Sequence, residues 1–99
     1  MPIASLFEWP GSDGSTSVYD AVSEKMGVRE NPPEGCIVHT AGYADDGAWR
    51  VFDVWETREH LERFQEDRLF PALQEVGDMP GSGPPSRTEV YDLYSFLTP

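Results

Sequence analysis

Between Cys36 and Val76 the hydrophobic pattern leaves the chain little choice of fold. Cys36–Tyr43 and Ala48–Trp55 are rich in β-branched and aromatic residues, and Asp45-Asp46-Gly47 between them is a turn signal, so the pair reads as a β-hairpin. Thr57 follows as a helix cap, with Glu59 in the first turn, where negative charge suits the helix dipole. Leu61, Phe64, Leu69, Leu73 and Val76 then trace one apolar stripe at helical spacing. Pro71 falls inside that stripe. It has no backbone donor, so it is expected to kink or split the helix. Gly77 is the expected stop.

The flanks complete a symmetrical order. Ile3–Trp9 reads as a strand stopped by Pro10-Gly11. Ser17 with Asp20 resembles a capping box, and Tyr19, Val22 and Met26 share one face of a helix ending near Gly27. Pro32-Pro33 breaks the chain before the hairpin. Asp78–Pro85 reads as a mobile surface loop, and Ser86–Leu97 as a last strand. The expected architecture is α+β: one domain over 1–99, ferredoxin-like β-α-β-β-α-β, with two helices on one face of a four-stranded antiparallel sheet. The other sheet face is left bare. At 99 residues and 38% hydrophobic content the core is small, so a homodimer that covers this face is expected.

Charge and cysteine content narrow the function classes. With 7 basic against 18 acidic residues, net −11, the chain has no patch to neutralise phosphates, so neither nucleic acid nor an anionic membrane is an expected partner. One cysteine, Cys36, excludes an internal disulfide and a multi-cysteine metal site, and in a strand it reads as a small buried hydrophobe. Neither an export signal nor a membrane-length apolar run is evident, which makes the cytoplasm the expected setting. No phosphate loop, nucleophile elbow or His/Glu metal spacing is present, so no cofactor and no metal is expected.

Several segments resemble those of the dimeric α+β barrel superfamily, in particular small proteins like the antibiotic-biosynthesis monooxygenases. Tyr19-Asp20-Ala21-Val22 is similar to a recurring YDAV segment, and Gly35–Gly42 to a GLIVHTAG strand. Asp53-Val54-Trp55-Glu56-Thr57 resembles a DVWES junction, and Arg68–Leu73 an RLxPAL helix end. The resemblance implies the dimeric barrel fold and a range of activities, from cofactor-independent oxygenation to polyketide cyclisation. It implies haem binding less, because Gln65 stands where the haem-degrading branch has its ligand histidine, leaving His60 as the imidazole on that helix.

His39 and Asp53 are the candidate catalytic pair. They lie on partner strands, and the hairpin loop decides whether they meet: a three-residue loop puts them on one sheet face, a two-residue loop on opposite faces. On one face, Asp53 would hold one imidazole nitrogen and leave the other free as a general base. The competing reading is a polar pair that fixes sheet register. Tyr19, Trp49, Trp55 and Phe64 are candidate walls of an aromatic cavity suited to a small hydrophobic or aromatic ligand, with plain core packing as the alternative. Trp9, Phe7, Tyr91, Tyr94 and Phe96 read as core or dimer contacts, and His60 as a solvated residue. Two functions compete: a cofactor-independent monooxygenase or cyclase acting on an aromatic, polyketide-like molecule, and a non-catalytic dimeric binding or scaffold protein.

Overall fold

The structure is a computed structural model that describes residues 2–10, 16–76 and 85–97, without the side chains of Val18 and Val76. Strands β1 (Ile3–Trp9), β2 (Cys36–Tyr43), β3 (Trp49–Trp55) and β4 (Arg87–Asp92) form one antiparallel sheet in the order β2-β3-β1-β4. Helix α1 (Ser17–Met26) connects β1 to β2. The connection from β3 to β4 carries α2 (Arg58–Phe64), a wide π turn at Gln65–Leu69, and α3 (Phe70–Val76). This is the ferredoxin-like α+β arrangement.

Alternation along the strands assigns each sheet face its residues. Ile3, Ser5, Phe7 and Trp9 of β1 lie opposite Trp55, Asp53, Val51 and Trp49 of β3 in direct register. Their side is the helix side: Trp9, Trp49 and Val51 pack with Val22 of α1 and Ala72 of α3, while Ile3 and Trp55 pack with Leu61 of α2. The opposite face carries Leu6, Phe52, Val54 and Val38, and the Glu8–Arg50 ion pair crosses it at 2.5 Å.

Three local expectations are corrected. The α1 cap is Thr16 rather than Ser17. Its hydroxyl bonds Asp20 at 2.9 Å, so no capping box forms. Strand β3 begins at Trp49, one residue later than expected, since Ala48 closes the turn by accepting from the Ala44 N–H. As expected, the regular helix is split: α2 and α3 are divided by the π turn, which ends two residues before Pro71. The wide turn before it carries the Phe70 N–H to the Gln65 carbonyl, loosening the ladder where the proline ring would crowd it. Strand β4 ends at Asp92 instead of Leu97, because Asp92 already pairs with Ile3 at the start of β1. Leu93 bonds the Pro2 carbonyl at 2.9 Å, and Pro2 has no N–H to continue the ladder. Tyr94, Phe96 and Leu97 therefore stand exposed. The expected stops at Gly11 and Gly77, and all of the 78–85 loop except Pro85, lie outside the described residues.

Candidate functional site

The hairpin brings His39 and Asp53 together. Tyr43 pairs with Trp49, so residues 44–48 connect the strands, longer than either expected loop but of the same parity as the three-residue one, and His39 lies directly opposite Asp53 on the helix side. A bulge helps to shape the same face. The register shifts between Cys36 and Val38, which lets Cys36 and His39, three apart in sequence, both face the helices.

Asp53 is buried, at 6% exposure, and accepts a hydrogen bond of 2.6 Å from His39 Nδ1. A carboxylate only accepts, so this bond places the imidazole proton on Nδ1 and leaves Nε2 with its lone pair. Nε2 is not free, however. The Tyr19 hydroxyl lies 2.5 Å from it, with the two rings within 4° of parallel. With neutral His39 the tyrosine donates. With protonated His39 the direction reverses and Nε2–H donates to the tyrosine oxygen. The expected lone base is thus the centre of a line running Asp53–His39–Tyr19. Trp49 backs this line and does not line the cavity: it is buried, with Tyr19 tilted against one side at 5.2 Å and Tyr43 edge-on at 4.7 Å.

The line opens on a cavity of about 560 Å³ between the sheet and the helices, within the roughly 300–1,000 Å³ of small-molecule sites. Tyr19, His39, Asp53, Trp55 and Phe64 are all in its wall, the last two in ring contact at 5.2 Å. Phe7, Met26, Leu69 and Leu73 make most of the remainder apolar. Gln65 and Leu69 reach it from the π turn, an element often found at functional sites.

Electrostatics follow from these contacts. The bond to Asp53 raises the His39 pKa above its ordinary value, against the opposing effect of burial. Burial also raises Tyr19, with smaller opposing contributions from a bond to Ser23 and the charge of Arg29. Burial, helped by the Asp53 charge, pushes the Cys36 thiol up to about 11, far from a nucleophilic thiolate. His60 is not simply solvated. Its backbone is capped by Thr57, its Nδ1 lies 2.8 Å from the Thr57 hydroxyl, and its ring packs against Gly35, which has φ +82°. Among the described residues no three His, Cys, Asp or Glu side chains converge as a metal site would require. Nor is any described helix long and apolar enough to cross a membrane.

Two features of the site have no signal in the sequence. Nothing in the spacing joins Tyr19 to His39, because α1 is laid over β2 only by tertiary packing. Arg29 lines the cavity from the turn after α1, where no periodicity marks it.

No family model matches the chain, and no curated protein matches it. Solved structures do. A provisionally named antibiotic biosynthesis monooxygenase from Caulobacter crescentus matches at TM-score 0.70 and 18% identity, over 95% of this chain and 91% of that one. Another so named, from Chloroflexus aurantiacus, matches at TM-score 0.71 and 12% identity, over 99% and 98%. A protein of unknown function from Nitrosomonas europaea matches at TM-score 0.73 and 15% identity, over 99% and 94%. At such identities the likeness is one of fold: the chain has the ferredoxin-like α+β fold of structures named as antibiotic biosynthesis monooxygenases.

Proposed function

We propose that this protein is a cofactor-independent oxygenase acting on a planar phenolic or polyketide-like molecule bound in the cavity, with His39 as the base. The observation that carries the reading is the Asp53–His39–Tyr19 line in the wall of an apolar, aromatic-sided chamber. Asp53 fixes the tautomer and favours the imidazolium that forms. A phenol or acidic C–H that takes the place of the Tyr19 hydroxyl gives its proton to Nε2. The carbanion then passes one electron to molecular oxygen, and the two radicals couple to a peroxide. The peroxide recovers the proton from His39 and loses water, leaving a carbonyl on the ring. One oxygen atom enters the product, the other leaves as water, and the substrate supplies all the electrons. The same carbanion, without oxygen, would serve ring closure. Structures with this fold carry the name antibiotic biosynthesis monooxygenase, which favours the oxygen-consuming course.

Anthrone, a tricyclic carbon acid, is a suitable probe. The expected result is enzyme-dependent oxygen uptake that falls about a hundredfold in His39→Gln, the range in which positioned bases act, with the His39 ring resonances shifting when anthrone is added. Uptake unchanged in that variant, or resonances indifferent to the probe, would return the protein to the rival reading, a binding module without chemistry.

A homodimer belongs to the same proposal. Leu6 and Phe52, with the more exposed Val38 and Tyr91, occupy the sheet face that none of the described helices covers.

A further inference from the structure

Among the described residues, every basic side chain but one has a partner. Lys25 pairs with Glu75, Arg50 with Glu8, Arg58 with Asp92, Arg63 with Glu59 and Arg87 with Glu89, while Arg68 donates to the Met26 carbonyl. Arg29 has no ion pair or hydrogen bond among the described residues. It also lines the cavity, close enough to Tyr19 for its charge to act on the phenol. Its place just beyond α1 gives it a weak interaction with the helix dipole, a role Lys25 already fills from the last turn.

The charges within the wall are unequal in availability. Asp53 is the acidic residue there, and its carboxylate is committed to His39. An anion in the cavity would meet a free guanidinium on one side and an engaged carboxylate on the other. A guanidinium has a planar fork that matches a carboxylate in two parallel bonds. In a molecule of net charge −11, a cation without a partner among the described residues, at a mostly apolar chamber, also provides the local positive potential that an anionic ligand needs.

We infer that Arg29 is the specificity-determining residue of the cavity, and that the substrate is a planar phenol carrying a carboxylate which docks on this guanidinium while its reactive edge faces Tyr19 and His39. The inference rests on the reading of the cavity as a site for planar phenols and adds the acid group to it. An aromatic acid would thus be oriented at two points, by charge at Arg29 and by hydrogen bonding at the relay. Neutral analogues would share only the stacking surface.

The test compares the anthraquinone carboxylate rhein with its methyl ester, by quenching of tryptophan fluorescence. Rhein is expected to bind the wild-type protein about five- to tenfold more tightly than the ester, as one charge-assisted pair at a partly exposed site allows. The margin should vanish in Arg29→Gln, survive in part in Arg29→Lys, and shrink in wild type at high salt. Equal affinities in wild type, or a margin that persists in Arg29→Gln or is indifferent to salt, would overturn the assignment. Binding of neither probe would overturn it together with the cavity reading. Anthrone carries no acid, so oxygen uptake from it can fail while the rhein margin stands, and the reverse. The two readings are therefore separately refutable.

Discussion

His39 takes part in two short bonds of different character. The one to Asp53 is buried at the carboxylate end, while the imidazole itself keeps 44% of its side-chain surface in solvent. Its pKa is raised in the folded chain, so the folded state holds the proton more tightly than the unfolded state. The resulting stabilisation is complete below the unfolded value, about 6.5, and is lost as pH rises through the higher folded value. His39→Gln removes this dependence. The stability difference between wild type and variant should therefore be largest on the acid side and shrink toward alkaline pH. Because the ring is partly exposed, screening should hold the effect below about 1 kcal/mol. Urea unfolding midpoints across the pH range measure it, and a difference that grows with pH would contradict the assignment. The same pair has a functional corollary: Asp53→Asn should bring the His39 titration down toward its ordinary value in an NMR titration.

At the scale of elements, the helical layer is held close by a small side chain. Ala72 of α3 is buried at 3% exposure in one cluster with Val22 of α1 and with Trp9, Trp49 and Val51 of the sheet. Leu69 and Leu73, on either side of it in the chain, line the cavity. Ala72→Leu forces extra volume into this contact and should cost about 1–3 kcal/mol, read as a lowered urea midpoint, while displacing the two leucines that shape the chamber. The Lys25–Glu75 ion pair joins the same two helices at 2.6 Å, but both side chains are more than half exposed. Lys25→Ala should therefore leave the urea midpoint almost unchanged. The contrast separates packing from surface charge as the source of helix docking. The π turn belongs to this scale too. It divides α2 from α3 just ahead of Pro71, and it carries Gln65 and Leu69 to the cavity.

The whole molecule is finished on one side only. Two helical connections cover the face bearing His39 and Asp53, whereas the other face presents Leu6, Phe52, Val38 and Tyr91. The segment after β4 adds Tyr94, 97% exposed, and Leu97, 86% exposed. Apolar surface of this extent favours a second copy of the chain. Sedimentation at micromolar concentration should give twice the chain mass of 11.1 kDa. Phe52→Asp should return it to the single-chain mass with the near-ultraviolet signal of the core tryptophans retained. A wild-type protein that sediments as a single chain would refute the dimer and leave the cavity argument untouched, since every wall residue named above comes from one chain.

Local pattern determined much of this protein. The β-α-β-β-α-β order, the hairpin between Cys36 and Trp55 and the Thr57 cap follow from side-chain period, turn residues and capping chemistry, all of which act within a few residues. The pairing of His39 with Asp53 was legible up to one binary choice, the parity of the hairpin loop. The fold set it, because aromatic and aliphatic side chains on both strands had to reach the same core. Tertiary structure alone decided the rest. Tyr19 meets His39, Arg29 reaches the chamber and Trp49 stays behind its wall because α1 lies across the sheet at one particular height and angle. Docking of a helix on a sheet sums many weak contacts between residues far apart in sequence, and no short-range pattern records that sum.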